Sequence, residues 1–112
     1  MVLVTQIPYY ILPATSCILH NRLKLNKDTI TFDINLGYSG HIYGLFIASS
    51  LLNITNKSYA LLLAGNTISK FVDKEDTSTR FIFEDSGSAT LLEKDYNAEP
   101  MIFSLGTDGS VR

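Results

Sequence analysis

The sequence predicts a layered α/β fold with a mostly parallel sheet, and three observations support this prediction. Strand-like and helix-like segments alternate in the order strand, helix, strand, helix, strand. The third strand, Y-A-L-L-L-A at Tyr59–Ala64, is apolar without alternation, which is typical of a strand covered on both faces. The second helix, His41–Leu52, is apolar nearly all round, as in a helix buried within a larger body.

The first strand and the first helix are predicted from apolar patterns near the N-terminus. Val2–Gln6 is a short apolar run with β-branched residues, which indicates a buried strand. Pro13 suits the first turn of a helix in which Ala14, Cys17 and Ile18 can share one apolar face. Because free cysteines often pack as small hydrophobic residues, we expect Cys17 to have a packing role.

The remaining strands are predicted from alternation and from turn residues. Thr29–Leu36 alternates, with its isoleucines, its phenylalanine and its leucine on one side. Further along, Arg80–Phe83 and Ala89–Leu92 flank D-S-G-S, which predicts a hairpin or two strand pieces around a tight turn. Met101–Leu105 is a candidate for a last strand. The polar stretch around Asp73–Asp76 predicts a solvated loop.

Length and composition restrict the classes of protein to which the chain can belong. At 112 residues it is long enough for a single domain, residues 1–112. With 46% hydrophobic and 18% charged residues it is globular, and it is apolar enough to predict a surface meant for a partner. The net charge of −2 and the scattered basic residues argue against binding to nucleic acid or to an anionic membrane.

Simple features of the sequence also bear on the location of the protein, on disulfides and on metal binding. No apolar run approaches the roughly 20 residues of a membrane span, and the N-terminus lacks the pattern of a signal peptide, so we expect a cytoplasmic protein. One cysteine excludes an internal disulfide. The sequence contains neither a cluster with metal-ligand spacing nor a glycine loop for phosphates, so we predict no metal and no cofactor.

The bend at Gly37–Gly40 is the sharpest functional signal. Glycines on either side of Tyr38 permit the backbone conformations and the close packing of a strand-to-helix elbow. The first N–H groups of the following helix would favour an anion at the apex, and a thiolate there would be stabilised. A tyrosine, with a reference pKa of about 10, forms little phenolate at neutral pH. The residues alone leave open a nucleophile platform and a tight connection in which Tyr38 only packs.

Other polar residues carry weaker signals. His20 and His41 have no spacing that indicates a ligand pair; His20 is expected to be exposed, and His41 to pack or to hydrogen-bond. Glu84 and Asp85 could be mistaken for an acid/base pair, but adjacent residues of an extended chain point in opposite directions.

Several motifs, in order and over nearly all of the chain, resemble those of β-ketoacyl-acyl-carrier-protein synthase III, a thiolase-fold condensing enzyme. T-Q-I-P-Y-Y-I-L-P at Thr5–Pro13 is similar to the family's T-Q-T-P-D-Y-x-x-P, and F-D-I-N-L-G-Y-S-G at Phe32–Gly40 is similar to F-D-I-N-L-G-C-S-G. The stretches Leu61–Lys70, Asp76–Thr90 and Phe103–Ser110 resemble the segments that follow in the family.

The resemblance implies a partial thiolase-like fold with an incomplete N-terminal half, and it places Tyr38 at the position of the family's acyl-carrying cysteine. The family transfers an acyl group from coenzyme A to that cysteine and then condenses it with malonyl-acyl carrier protein. Its catalytic His and Asn come from the second half of the fold, and neither His20 nor His41 matches that His. Glu84 and Tyr9 also depart from the family, which has glycine and aspartate there.

Three hypotheses follow. In the first, the chain is a fragment of a condensing enzyme of fatty-acid synthesis, is inactive alone, and self-associates because family members are homodimers. In the second, it is a non-catalytic module that pairs with a full-length condensing enzyme or with a separately encoded second half. In the third, it is an unrelated small α/β binding domain in which Tyr38 only packs, and the strand–turn–helix at 32–52 would be absent.

Overall fold

Two helices pack on opposite faces of one four-stranded sheet in the part of the chain that the structure, a computed structural model, describes: residues 1–6, 8, 10–37, 39–66 and 86–110. The elements follow the predicted order. They are β1 (Val2–Val4), α1 (Thr15–Arg22), β2 (Phe32–Ile34), α2 (Gly40–Ile54), β3 (Tyr59–Asn66) and β4 (Ser86–Glu93).

The sheet has the strand order β2-β1-β3-β4. Strand β1 is central and runs parallel to both neighbours, with Val2 opposite Phe32 on one side and Leu62 on the other. Strand β4 runs antiparallel to β3, with Leu91 opposite Leu61. The prediction of a layered α/β fold with a mostly parallel sheet is therefore confirmed. That all 112 residues form one domain stays a prediction.

The core lies between the sheet and α2. Helix α2 buries a stripe of residues four apart: Gly40, Gly44, Ala48 and Leu52. A Cβ on Gly44 would lie 2.7 Å from Leu62 Cδ1 and 3.0 Å from Val4 Cγ2, so the small residues bring the helix axis close to the strands. Val2, Val4, Ala48 and Leu62 form the buried cluster at this contact.

Helix α1 covers the other face of the sheet, over β1 and β2. Its buried residues are Thr15 and Ser16 in the first turn, and Cys17 is exposed. The expectation that Ala14, Cys17 and Ile18 form the packing face is thus wrong for Cys17. The reason is that the first turn of α1 docks on the Asp33 carboxylate, which turns residues 15 and 16 towards the sheet.

Two expectations for the C-terminal part differ from the structure. Ser86–Gly87–Ser88 is not a turn but the start of β4, because these residues pair with the end of β3, with Gly87 opposite Gly65. Arg80–Phe83 lies outside the described residues. The predicted strand Met101–Leu105 is not a strand.

The run 101–105 instead lies along the outer face of α2. The Phe103 ring packs edge-on against Phe46, with centroids 5.4 Å apart, and the Tyr43 hydroxyl donates to the Gly106 carbonyl at 3.1 Å. Phe103 thus packs against a helix, and the run does not pair with a strand.

Within the described ranges, no helix is long and apolar enough to cross a membrane.

Candidate functional site

The turn between β2 and α2 lies at the carboxyl edge of the parallel strands. The Thr5 N–H donates to the Ile34 carbonyl at 3.0 Å, which continues the pairing of β1 and β2 to the end of β2. The Gly40 N–H then donates to the Gly37 carbonyl at 2.7 Å, and α2 begins after Ser39. The strand–turn–helix predicted at 32–52 is therefore present, and in open α/β sheets ligands bind beyond this edge.

Tyr38, the one residue predicted to occupy a nucleophile position, lies outside the described residues. The sequence places it between Gly37 and Ser39, so position 38 directly precedes the N-cap of α2. Ser39 makes no side-chain capping bond, and the first turn of α2 contains no acidic residue. The helix N-terminus thus lacks a carboxylate of its own. The role of Tyr38 stays a prediction.

The glycines of the turn allow close packing, and they do not adopt a left-handed backbone conformation. None of the described glycines has a positive φ, so the expectation that Gly37 and Gly40 provide special backbone conformations is wrong. The expectation of close packing is confirmed, because a Cβ on Gly40 would lie 2.5 Å from Val4 Cγ1. A Cβ built on Gly37 would lie 3.0 Å from Nε2 and 3.2 Å from Cδ and Oε1 of the Gln6 side chain.

Two of the other predicted candidates, His20 and His41, are described, and neither forms a catalytic group with the described residues of this turn. His20, expected to be exposed, is half-buried on α1, and its Nε2 lies 2.9 Å from the Asn26 carbonyl. His41 is half-buried in the first turn of α2, and the structure gives its ring no hydrogen bond within the described part. Tyr9, Glu84, Asp85 and Asp73–Asp76 lie outside the described residues.

Asp33 is a residue that the sequence reasoning missed. It lies on β2, and its Oδ2 and Oδ1 accept from the backbone N–H groups of Thr15 (2.9 Å) and Ser16 (2.8 Å). A carboxylate from a strand thereby caps the N-terminus of α1, which has no capping side chain at Ala14. The alternation along β2 could have revealed this role. It places the Asp33 side chain on the opposite face of the strand from Phe32 and Ile34.

Two cavities are lined by described residues alone, and neither includes a described residue of the turn. One of about 270 Å³ opens at the amino ends of the strands, between β1, β2 and the second half of α2, where Lys57 pairs with Asp28 at 3.4 Å. A second, of about 330 Å³, lies between α2 and the segment after β4. Among the residues that the structure describes, no group of three His, Cys, Asp or Glu could hold a metal ion.

Two groups of the described residues have shifted pKa values, and both lie away from the turn. Burial lowers the pKa of the Met1 amino group, which donates to the Ile30 carbonyl. The hydroxyl of Ser110 donates to Asp108 and lowers the pKa of that carboxyl.

The fold and the turn together define a layered α/β unit with a strand–turn–helix at the carboxyl edge of its sheet. Comparison with known proteins gives the family. A family profile described as 3-oxoacyl-[acyl-carrier-protein (ACP)] synthase III matches residues 32–109. The chain therefore belongs to the 3-oxoacyl-acyl-carrier-protein synthase III family. This confirms the resemblance that the motifs predicted.

Relatives and solved structures agree with this assignment. The chain is 41% identical over 110 residues to a Campylobacter jejuni protein that carries the name of a 3-oxoacyl-[acyl-carrier-protein] synthase 3, and 32% identical over 114 residues to a β-ketoacyl-[acyl-carrier-protein] synthase III of Natranaerobius thermophilus. These matches cover 97% and 98% of this chain.

Among solved structures, a crystal structure of a 3-oxoacyl-(acyl-carrier-protein) synthase III superposes with a TM-score of 0.83 at 37% identity, over 88% of this chain and 29% of the other. The 3-oxoacyl-(acyl-carrier-protein) synthase of Burkholderia xenovorans LB400 gives 0.81 at 38% identity, over 86% and 28%. The chain spans only 30% and 34% of the length of the two curated relatives.

Proposed function

We propose that this chain supplies the nucleophile-bearing layer of a condensing enzyme, with tyrosine at the nucleophile position, and that its 112 residues do not catalyse the condensation alone. The observation that carries the proposal is Tyr38, which stands where the family motif F-D-I-N-L-G-C-S-G has cysteine. A phenol with a pKa of about 10 is almost wholly protonated at neutral pH, and it is a poor substitute for a thiolate in thioester exchange.

The substrates that fit this proposal are those of the reaction for which the relatives are named. An acyl-coenzyme A would donate the primer, and malonyl-acyl carrier protein would supply the extending unit of fatty-acid biosynthesis. The resemblance gives no counterpart of the family's catalytic His and Asn within these 112 residues. The same family resemblance favours a cytoplasmic location and association of two copies.

The proposal is tested by incubating the 112-residue chain with labelled acetyl-coenzyme A and malonyl-acyl carrier protein. We expect neither labelled protein nor ketoacyl product from the parent chain, and no ketoacyl product from Tyr38→Cys, because the condensation step needs groups other than the nucleophile. Turnover by the parent chain would contradict the proposal.

A second candidate function is a non-catalytic module that pairs with a larger condensing enzyme or with a separately encoded second half. The observation that favours it is the outer face of β3 and β4, where the side chains of Tyr59 and Leu91 are 61% and 66% exposed. Stable co-purification with a full-length synthase III, lost in a Leu91→Lys variant, would support this function. A chain that forms only homodimers in the presence of the synthase would argue against it.

A further inference from the structure

We propose that the cavity at the amino ends of the strands binds a small carboxylate with an apolar body, a property that does not depend on the proposed function. The cavity of about 270 Å³ opens between β1, β2 and the second half of α2, and every residue that lines it belongs to the described part of the chain. Pockets for drug-sized ligands have volumes of about 300–1,000 Å³, so the size of this cavity favours a smaller ligand.

One wall of the cavity is apolar and comes largely from one face of α2. Ala48, Leu51, Leu52 and Thr55 line it at i, i+3, i+4 and i+7 spacing, which places them on the same face of the helix. Phe32, which packs against the buried core cluster, adds to this wall from the sheet. The apolar body of a ligand can therefore exchange water for carbon contacts on this side of the cavity.

The Lys57 ammonium is the sheltered charge at this cavity. Its Nζ donates to the Asp28 backbone carbonyl at 2.8 Å, whereas Asp28 Oδ2 lies 3.4 Å away, which is long for a hydrogen bond. Asp28 is the only acidic residue that lines the cavity, and its side chain is 77% exposed, against 34% for Lys57. An ammonium has three N–H groups, so within the described residues one of them is left for a ligand.

The carbonyl acceptors of several lining residues are already used. The Leu51 carbonyl accepts from the Thr55 hydroxyl at 2.7 Å, and the Thr55 carbonyl accepts from the Lys94 ammonium at 2.7 Å. On the sheet side, the Ile30 carbonyl accepts from the Met1 amino group at 2.6 Å. The cavity therefore offers a ligand donor capacity and positive charge, and this combination fits a carboxylate, because charge-assisted hydrogen bonds to an ammonium are strong.

Hexanoate tests this inference on the parent chain, with binding followed by ligand-observed NMR at neutral pH. We expect a dissociation constant on the order of 1 mM, which suits a ligand with so few atoms. Hexan-1-ol keeps an apolar chain and lacks the charge, so it should bind about tenfold more weakly. Inorganic phosphate has charge without a chain, and at equal concentration it should not displace hexanoate.

Two variants locate the binding in the cavity. Lys57→Met removes the ammonium and keeps an apolar side chain, so it should weaken hexanoate binding about tenfold and leave that of hexan-1-ol unchanged. Lys27→Met is the matched control: it removes the same charge from an exposed residue that does not line the cavity, and it should bind hexanoate like the parent. Ala60→Leu, which adds carbon atoms at a lining residue, should weaken the binding of both ligands.

Each comparison has a result that overturns the inference. No binding of hexanoate at about ten times the expected dissociation constant would exclude the site. Equal affinities for hexanoate and hexan-1-ol, or for hexanoate in the parent and in Lys57→Met, would remove the role of the charge. Displacement by inorganic phosphate would remove the role of the apolar wall. Circular dichroism monitors the fold of the variants, and the ligand comparisons on the parent chain decide the case if a variant does not fold. The acyl-transfer assay tests the proposed function separately.

Discussion

The Asp33 carboxylate is the residue-scale contact that fixes α1 to the sheet. It accepts two backbone N–H groups at 2.9 and 2.8 Å, and charge-assisted bonds of this kind are stronger than neutral ones. Asp33→Asn keeps one oxygen but replaces the other by an NH2 group that cannot accept. We expect the free energy of unfolding to fall by about 1–2 kcal/mol, measured by urea denaturation.

Asp28→Asn is the matched control for this prediction. It makes the same chemical change at a carboxylate that is exposed and pairs with Lys57 at only 3.4 Å. Exposed ion pairs contribute about 0–1 kcal/mol, so the control should change the free energy of unfolding less than Asp33→Asn does. Equal effects of the two variants would show that Asp33 is not a significant cap of α1.

Gly44 is the residue that sets the distance between α2 and the sheet. Gly44→Ala should gain about 1 kcal/mol in helix propensity, but the added methyl would lie 2.7 Å from Leu62 Cδ1. Leu62 has no exposed surface and little room to move, and overpacking typically costs about 1–3 kcal/mol. We therefore expect Gly44→Ala to lower the melting temperature in thermal denaturation. Asn53→Ala, on the exposed face, should not lower it. A stabilised Gly44→Ala would contradict the close contact.

The sequence showed the position of residue 38 but not the contacts around it. The glycine-flanked motif was visible because its residue types are unusual between a strand and a helix. The Asp33–α1 cap and the Gln6–Gly37 contact join residues 17 or more positions apart, and they depend on which strands are neighbours. Cys17 was misplaced for a similar reason, because periodicity alone does not say which turn of a short helix docks.

At the scale of elements, strong apolar patterns predicted which helices and strands exist and in what order. Tertiary contacts decided at which residues each strand begins and ends. The predicted strands Val2–Gln6 and Thr29–Leu36 are three-residue strands in the structure, because β1 and β2 pair over only that length. In contrast β3, predicted at Tyr59–Ala64, extends to Asn66, where β4 supplies partners. The apolar run 101–105 packs on α2, and nothing in its composition distinguishes this from a strand.

Phe103 is the residue through which the segment 101–106 holds to α2. Phe103→Ala removes an edge-to-face contact with Phe46 and should release the segment, at a cost of about 1–2 kcal/mol. Limited proteolysis within residues 101–106 should become faster, while cleavage within β3 stays unchanged. Ile102→Ala is the control, since its side chain is 94% exposed and should change neither rate. Unchanged cleavage in Phe103→Ala would indicate that the segment is held by other contacts.

At the scale of the whole molecule, the described helices cover the two faces of the sheet unequally. Helix α2 packs across β1 and β3 on one face, whereas α1 lies over β1 and β2 on the other. A helix of about 10 Å diameter covers about two strands spaced 4.8 Å apart, so α1 cannot also reach β3 and β4. Strands of mostly parallel sheets are normally covered on both faces, and this asymmetry leaves an apolar surface around Tyr59 and Leu91.

This surface predicts self-association of the 112-residue chain, and Leu91→Lys tests where the contact lies. A lysine there replaces apolar contact area by a charge that must be desolvated in any interface, and lysine on an edge strand also opposes strand pairing. Sedimentation velocity over a concentration series should show association for the parent chain and a clear shift to monomer for Leu91→Lys. Ile102→Lys adds the same charge on the segment along α2, on the other side of the sheet, and should associate like the parent. If both variants associate equally, the contact lies elsewhere; a parent chain that stays monomeric at all concentrations would show that the exposed face does not mediate self-association.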